Sequence, residues 1–382
     1  MFDPDTYRRL YERIDTAIKG DAYLLAQLRD EVRPLRSEVR RIYPRSTTSV
    51  SLVATDGGNN RVEFDPFLVQ VVRVVDSSEN EYFLDVVTPA TDIFELSSRQ
   101  FSKSGPATPL GYMMDLLKVR SLPELSHMIR VTPKGQPVSP SWVQVYRELV
   151  EWSVLLKIVR EKDFGSDTLI VWDGLLRTKV FAKPLFQRYR QLLVEGLESQ
   201  FREKKRRVFV VGVAKHSKVL ARYSLALALE DVLTNNYPCY VEVPRDIEEK
   251  AYTWSEYARG DDRALEGITE INNMVAGKMF LVKFGNRARD PIWPVDILIE
   301  QLGQVQTILG YLLADAENGF PIPLYPRSLQ KAHESAAMVD FDFEILQEHI
   351  HRSIREIVGS RKDIVDILRF QTTNWGKERY QT

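Results

Sequence analysis

The stretch SVSLVATDGGNN, residues 49–60, is a short apolar run that ends at an aspartate, Asp56, followed by two glycines. Its alternating apolar residues predict a β-strand, and the glycines let the backbone turn away sharply after it. The segment is either a strand that runs into a turn or the first ligand strand of a metal site. Taken alone, Asp56 fits both interpretations equally, because aspartate is a common turn residue.

A second stretch of the same kind, DTLIVWDG, places Asp173 before a glycine at the end of another apolar run. A turn aspartate is again the alternative, but two such strand ends in one chain favour a shared role. If the two strands are neighbours, Asp56 and Asp173 converge at the carboxyl edge of a sheet. Two carboxylates at close range need a shared proton or a divalent cation, and oxygen ligands suit Mg²⁺ or Mn²⁺.

Hydrophobic periodicity predicts how the rest of the chain is organised. Helices are expected over residues 4–42, 141–162, 182–204, 295–317 and 341–357, and strands over 48–56, 67–76, 81–87, 167–174, 206–215, 239–243 and 279–284. The turn SSEN joins the second and third strands as a hairpin. Residues 90–140 are rich in proline and predict an insertion with one or two short helices. Strands that alternate with helices indicate an α/β fold with a partly parallel sheet.

The helix that precedes Asp173 carries two candidate acids. Glu148 lies four residues before Trp152, close to the apolar face, and Glu151 lies one turn further on. A carboxylate on a packed face is costly unless it is paired or bound to a cation. The order of these elements is that of RNase H-like nucleases: an Asp on a strand, a hairpin, a Glu on a helix and an Asp on the next strand. In those enzymes two divalent ions about 4 Å apart activate a water and stabilise the leaving oxygen.

Five blocks of this sequence resemble the NurA nucleases, in the order of that family and from about residue 50 to about residue 345. The blocks read VATDGG, LIVWDGLL, VGVAKHSK, FLVKFG and GFPIPLYPRSLQKAHESA. Each block is weak by itself, whereas the ordered set is specific. The resemblance implies a manganese-dependent DNA nuclease with an RNase H-like core. It also implies a homodimer that works with the hexameric HerA ATPase, which translocates DNA.

The resemblance also implies roles for the acidic residues. Asp56 matches the ligand on the first strand, Asp173 matches the acid of the DG-L motif, and either Glu148 or Glu151 is the ligand on the helix. The first motif reads Asp-Gly-Gly where Asp-Gly-Ser is frequent in the family, and residues 90–140 are longer than the family pattern. Neither departure removes an acid.

Two further residues match the family pattern. Lys215 in VAKHSK corresponds to the lysine after the central strand, where it would hold the scissile phosphate as a point charge. His333 in KAHESA corresponds to a late histidine that would bind phosphate or transfer a proton. The alternatives are an ordinary solvated lysine and a histidine that packs at the start of a helix.

The composition limits the remaining possibilities. The chain has 382 residues, 52 Lys plus Arg against 53 Asp plus Glu, and one cysteine, Cys239. The net charge of −1 gives no overall attraction to nucleic acid, and one cysteine excludes an intramolecular disulfide framework and a cysteine-rich zinc site. The start MFDPDTYRRL has no apolar signal region and no apolar run reaches about 20 residues, so we expect a cytoplasmic protein without a membrane span. No G-x-x-x-x-G-K-[ST] motif exists, so ATP hydrolysis must come from another chain.

These observations predict an α/β fold with an RNase H-like core and a mixed central sheet flanked by helices. We expect an N-terminal helical arm (1–45), a nuclease domain (46–350, with the insertion at 90–140) and a C-terminal helix and tail (351–382). The predicted activity is phosphodiester hydrolysis in DNA, by exonuclease or endonuclease cleavage, in end processing or in defence against foreign DNA. The alternative is a catalytically inactive adaptor subunit of a HerA-type motor, although an adaptor has no need of three acids in this order.

Overall fold

The computed structural model describes residues 3–45, 48–54, 61–64, 67–182, 184–252, 274–337 and 340–359. The chain divides into two compact units, each built from separate stretches of sequence. Unit 1 contains Met1–Ser51, Asp163–Lys179 and Arg190–Gln330, and unit 2 contains Leu52–Lys162, Val180–Tyr189 and Lys331–Thr382. The units interleave along the sequence, so neither is a continuous segment.

The helices of the described residues are, in chain order, α1 (Pro4–Gly20), α2 (Ala22–Val32), α3 (Leu35–Glu38), α4 (Ile93–Arg99), α5 (Pro109–Leu117), α6 (Leu122–Leu125), α7 (Trp142–Glu161), α8 (Leu185–Lys204), α9 (Lys218–Leu229), α10 (Arg245–Tyr252), α11 (Val305–Ala316), α12 (Arg327–Ala336) and α13 (Asp340–Val358). The strands are β1 (Arg40–Arg41), β2 (Thr48–Ala54), β3 (Arg61–Phe64), β4 (Phe67–Asp76), β5 (Glu81–Val87), β6 (Phe101–Ser102), β7 (Gly105–Pro106), β8 (Thr168–Asp173), β9 (Val208–Val213), β10 (Cys239–Glu242), β11 (Gly277–Lys283) and β12 (Ile292–Leu298). A 3₁₀ helix, Ile299–Gln304, precedes α11.

Unit 1 holds a six-stranded mixed sheet in the order β1-β10-β11-β12-β9-β8. β8 and β9 run parallel, and the other neighbouring pairs run antiparallel. The side chains of both parallel strands are buried along almost their whole length, because helices flank the sheet. β2 enters unit 1 with residues 48–51 and follows β8 in the strand order.

The N-terminal helices pack against unit 1 to different extents. Val32 of α2 and Leu35 at the start of α3 are buried in one apolar cluster with residues of α9, β10 and β11. Arg29 of α2 and Arg33, which directly follows α2, bond to Glu230 just after α9, at 2.6 and 2.8 Å. None of the residues of α1 is buried. Only α1 is therefore a projecting arm, whereas α2 and α3 belong to the core of unit 1.

Unit 2 contains the predicted hairpin of β4 and β5, and β4 also pairs with β3 and with residues 52–54 of β2. The buried carboxylate of Asp76 fixes the hairpin turn. It accepts hydrogen bonds from the backbone N–H of Ser78 at 2.8 Å and from the Tyr82 hydroxyl at 2.8 Å, and Lys162 Nζ lies 3.3 Å away. Burial acts to raise the pKa of Asp76, but the hydrogen bonds from Asn80 and Tyr82 outweigh it and lower the pKa.

The structure corrects four sequence predictions. The helix expected over 295–317 begins only at Val305, because residues 292–298 form strand β12. Pro294 misleads the prediction, since proline disfavours a central strand. The last residue pair between β12 and β9 is Val295 with Val213, and Pro294 lies one residue beyond it. Its carbonyl still accepts a hydrogen bond from the Ala214 N–H.

The other three corrections concern shorter elements. The helical segment predicted over 4–42 ends at Glu38, and Arg40–Arg41 form an edge strand. The insertion at 90–140 contains three short helices and a two-stranded ribbon, not one or two helices. Helices α9, α10 and α12 are absent from the prediction. No helix of the described part of the chain is both long and apolar enough to span a bilayer.

Candidate active site

Asp173 is the last residue of β8 and is half-buried at the carboxyl edge of the unit 1 sheet. Its register partner is Val213 at the end of β9, and the Gly174 N–H donates to the Val213 carbonyl at 2.9 Å. Gly174 has φ +125°, which L side chains rarely adopt, so the turn after Asp173 requires glycine. A Cβ on Gly212 would lie 2.5 Å from the Gly174 carbonyl oxygen, so a second glycine lets β9 approach this turn.

Tyr325 contacts Asp173 from the segment that precedes α12. Its hydroxyl donates to Asp173 Oδ1 at 3.4 Å, and the residue is only 1% exposed. Lys215 Nζ lies 5.7 Å from the centre of the same ring, and the Trp293 ring packs against it at 4.8 Å. Burial, and after it the charge of Asp173, raises the pKa of Tyr325 well above its usual value. Tyr325 is therefore a neutral hydrogen-bond donor that orients the carboxylate, and it brings Lys215 and Asp173 to one site.

The position of Tyr325 is fixed by Gln330 on the first half of α12. The Gln330 amide donates to the carbonyls of Ile322 and Tyr325, both at 3.0 Å, and its oxygen accepts from the Ile322 N–H at 2.7 Å. These three hydrogen bonds satisfy buried backbone groups in a segment without regular structure. A side chain held by such bonds loses little entropy when it engages a ligand.

A buried arginine, Arg177, holds the turn that follows Asp173. Arg177 bonds to both oxygens of Asp296, at 2.9 and 2.7 Å, and its third nitrogen bonds to Glu248. Asp296 is 0% exposed on β12. Burial alone would lower the pKa of Arg177, but the charges of Asp296 and Glu248 raise it, so the guanidinium stays charged. The cluster anchors residues 174–177 to β12 and α10, and thereby the end of the strand that carries Asp173.

Helix α9 begins three residues after Lys215. The Ser217 hydroxyl accepts from the Leu220 N–H at 3.0 Å and caps the helix. The N-terminus of a helix carries a partial positive charge and favours anions. Together with the ammonium of Lys215, it makes this corner of the sheet suited to a phosphate group.

The two acids of α7 lie in unit 2. Both are half-buried: Trp152 Nε1 donates to Glu148 Oε1 at 3.4 Å, and Arg147 Nε lies 3.4 Å from Glu151 Oε1. The two environments are alike in burial, so the choice between Glu148 and Glu151 stays open.

His333 also lies in unit 2, half-buried in the last turn of α12 and not at a helix start. Arg73 of β4 donates to the carbonyl of Ser335 at 2.9 Å and bonds to Glu81 at 2.8 Å, which fixes the end of this helix. Asp56 lies outside the residues that the structure describes. Asp173 and Lys215 are thus the two predicted site residues that the structure brings together.

Among the described residues, no three His, Cys, Asp or Glu side chains form a group that could hold a metal ion. Asp173 suits a hard cation as a single ligand, because its half-buried carboxylate ends a strand and is oriented by a neutral phenol.

No protein-family model matches the chain, and no curated protein matches it. Among solved structures, it is similar to the crystal structure of the NurA nuclease from Sulfolobus solfataricus. The identity is 13%, the TM-score is 0.45, and the match covers 93% of this chain and 98% of that chain.

Sequence reasoning missed Tyr325 and the Arg177 cluster. Tyr325 lies inside a block used for the family resemblance, but its contact with Asp173 joins residues 152 positions apart and leaves no local pattern. A signal for Asp296 was present, since a lone aspartate interrupts the apolar run VDIL. A buried carboxylate in such a run needs a cation, and the arginine after the DG-L motif is that cation.

Proposed function

We propose that this chain is a metal-dependent DNA nuclease of NurA type, with an RNase H-like core that hydrolyses phosphodiester bonds. The observation that carries the proposal is the grouping of Asp173, Tyr325 and Lys215 at the carboxyl edge of β8 and β9. A carboxylate for a divalent cation and an ammonium for a phosphate oxygen are the charges that phosphodiester hydrolysis requires. The ordered motifs that resemble NurA nucleases support the same reaction.

The residues of this grouping, and with them His333 and Trp293, have defined tasks in the proposal. Lys215 holds a non-bridging oxygen of the scissile phosphate as a point charge, beside the N-terminus of α9. Tyr325 keeps its proton and holds the Asp173 carboxylate in one orientation. His333 binds phosphate or transfers a proton to the leaving oxygen. The Trp293 ring packs against the Tyr325 ring and supports its position.

The cation of the proposal is Mn²⁺ or Mg²⁺, held by Asp56, Asp173 and one of Glu148 and Glu151. When bound, it lowers the pKa of a coordinated water and neutralises the charge that develops on the leaving oxygen. The carboxylate oxygens of these residues are the ligand type that both ions prefer.

A nuclease assay on the purified protein tests the proposal. With Mn²⁺ present, we expect an end-labelled DNA strand to be cut, and EDTA should stop cleavage until excess Mn²⁺ is added back. The control is the Asp173→Asn variant purified in parallel, which separates cleavage by this chain from cleavage by a contaminant. Equal cleavage in EDTA and in Mn²⁺ would refute metal dependence, and no cleavage under either condition would refute the nuclease.

Lys215→Ala should lower the cleavage rate about 100-fold, because the charge on the phosphate is lost, while Mn²⁺ affinity stays unchanged. His333→Ala should likewise lower the rate and keep Mn²⁺ affinity.

Tyr325→Phe should lower the rate about tenfold through loss of one hydrogen bond to a charged group. The matched control is Lys205→Ala at the opposite edge of the sheet. Calorimetry that finds weaker Mn²⁺ binding in Lys215→Ala would contradict its role.

The assembly in the proposal is a homodimer that works with a HerA-type hexameric ATPase. Helix α1 exposes a stripe of apolar side chains, among them Tyr11 at 60% and Ile18 at 64% exposure. An exposed stripe of this kind favours burial against another chain. The net charge of −1 gives a monomer little long-range attraction for DNA, so a ring-shaped motor would supply the grip and the movement.

Light scattering should therefore report a dimer for the full chain. Ile14→Glu with Ile18→Glu should shift it to a monomer, because two charges would enter the apolar stripe. These substitutions leave Val32 and Leu35 in place, whereas deletion of residues 1–45 would remove them from the core of unit 1. A monomeric parent protein would contradict the dimer, as would full processive digestion of long duplexes with no motor present. A HerA-type partner should stimulate cleavage in an ATP-dependent way.

The alternative function is an inactive NurA-like adaptor of a HerA-type motor. The contact between Tyr325 and Asp173 favours the enzyme, since an adaptor has no use for an oriented carboxylate beside a lysine. An adaptor would stimulate or anchor the motor equally well with Asp173→Asn.

A further inference from the structure

The carboxyl edge of the unit 1 sheet carries exposed cations well beyond Asp173. One row of paired residues runs across four strands at this edge: Arg41, Cys239, Lys283 and Ile292. The adjoining strand β9 ends at the same edge, where Ala214 donates to the Pro294 carbonyl at 3.1 Å. Arg41 on the outermost strand therefore shares an edge with Lys215 and Asp173.

Three exposed arginines and two tyrosines occupy this edge, and we call them the cationic rim: Arg41, Tyr43, Tyr237, Arg287 and Arg289. The Arg41 guanidinium lies over the rings of Tyr43 and Tyr237, 5.4 and 5.2 Å from their centres. Tyr43 is 59% exposed. Arg287 and Arg289 lie in the loop that joins β11 to β12. Within the described residues, the side chains of the three arginines form no ion pair with a carboxylate.

The rim is held in place by a buried lysine that the proposed chemistry does not use. Lys283 is 0% exposed and donates to the carbonyl of Arg287 at 3.0 Å and to the carbonyl of Asn235. It therefore ties the loop with both arginines to the loop with Tyr237. The carboxylate of Asp290 accepts from the Arg287 N–H at 2.8 Å and shapes the same loop. Ammonium bonds to two backbone carbonyls fix the two loops relative to each other.

We propose that the cationic rim binds a single strand of nucleic acid and leads it toward Asp173; this inference rests on the proposed nuclease function. The guanidinium groups contact phosphates, and the exposed ring of Tyr43 and the partly exposed ring of Tyr237 stack on unpaired bases. Cations interleaved with aromatic rings are the usual means of holding a single strand without reading its sequence. The rim is a local patch, which is the form that DNA binding must take in a chain with a net charge of −1.

The strand order sets the length of strand that the rim can hold. β1 and β8 are five positions apart in the sheet, which at about 4.8 Å per position is roughly 24 Å. At a rise of about 3.4 Å per nucleotide, this distance corresponds to roughly seven nucleotides. A strand stacked as in a duplex that reaches from Asp173 to Arg41 therefore contains about seven nucleotides, and a more extended strand contains fewer.

The test is fluorescence anisotropy of a labelled 15-nucleotide DNA strand in EDTA, where no cleavage occurs. The rim variant replaces Arg41, Arg287 and Arg289 by Gln, and the control replaces Arg202, Lys205 and Arg206 by Gln. The control removes the same charge from the amino-terminal edge of the sheet, beside the start of β9. We expect the rim variant to bind at least tenfold more weakly, with the slope of log Kd against log salt reduced by about 2. The control should match the parent protein.

Tyr43→Leu adds an independent readout. Loss of stacking should weaken binding about tenfold without changing the salt slope, because no charge is removed. Equal affinity and equal salt slope for the parent and the rim variant would overturn the inference, as would an equal loss in the control. The nuclease proposal fails differently, since a parent protein that binds the strand through the rim but never cuts it in Mn²⁺ would refute cleavage alone.

Discussion

Asp173→Asn is expected to abolish DNA cleavage in Mn²⁺, with a rate at least 100-fold below that of the parent protein. The substitution keeps the shape of the side chain but removes the negative charge that the cation needs. Stability should change little, because Asp173 is half-buried and an amide oxygen can still accept from Tyr325. Initial rates on an end-labelled strand, with circular dichroism to confirm the fold, measure both effects.

Asp167→Asn is the matched control for this experiment. Asp167 directly precedes β8 at the other end of the strand and is half-buried like Asp173. Its carboxylate accepts from the Arg207 N–H at 2.8 Å, which an amide oxygen can also do. This variant should cut DNA at the parent rate. A folded Asp173→Asn that did the same would remove Asp173 from the site.

The second large effect is expected on stability. Arg177→Met should lower the free energy of unfolding at neutral pH by about 3–5 kcal/mol, because it removes the guanidinium that bonds to the buried carboxylates of Asp296 and Glu248. Urea denaturation measures the change. The control, Arg33→Met, removes an arginine from an ion pair at the surface of α2 and should cost less than about 1 kcal/mol. A loss below 1 kcal/mol in Arg177→Met would show that the cluster does not hold the turn after Asp173.

The effect of Arg177→Met should also depend on pH. Burial raises the pKa of Glu248 above the ordinary carboxyl value of 4.5, even beside Arg177. A raised pKa in the folded state means that Glu248 favours folding below pH 4.5 and loses that contribution as the pH rises through the folded value. Removal of the guanidinium raises this pKa further. The difference between the parent protein and Arg177→Met should therefore shrink as the pH is lowered toward 4.5.

The parts of the fold that follow from local pattern could be predicted from sequence. The runs LIVWD and VFVVGV predict β8 and β9 because helices cover both faces of these strands, and Asp173 ends its strand as expected. The turn SSEN predicts the β4–β5 hairpin, because residues of the turn donate hydrogen bonds to the neighbouring carboxylate of Asp76. By contrast, strand β12 could not be predicted, because it contains Pro294. A proline is tolerated at this position only because the neighbouring strand β9 ends before it.

The site was predictable only where a single strand end defines it. Asp173 follows from such an end, and Lys215 follows from the motif after the next strand. Tyr325 and Arg177 act through partners distant in sequence, and no local pattern records a contact made by the folded sheet. The same holds for the cationic rim, where Arg41 and Arg287 share an edge only because β10 and β11 lie between them.

The central claim is that Asp173 holds the cation on which DNA cleavage depends. Electron paramagnetic resonance of unbound Mn²⁺ tests it directly, by titration of the parent protein, Asp173→Asn and Asp167→Asn without DNA. The account predicts that Asp173→Asn binds Mn²⁺ at least tenfold more weakly than the parent protein, whereas Asp167→Asn binds it equally well. Equal Mn²⁺ affinity in the parent protein and a folded Asp173→Asn would contradict the claim.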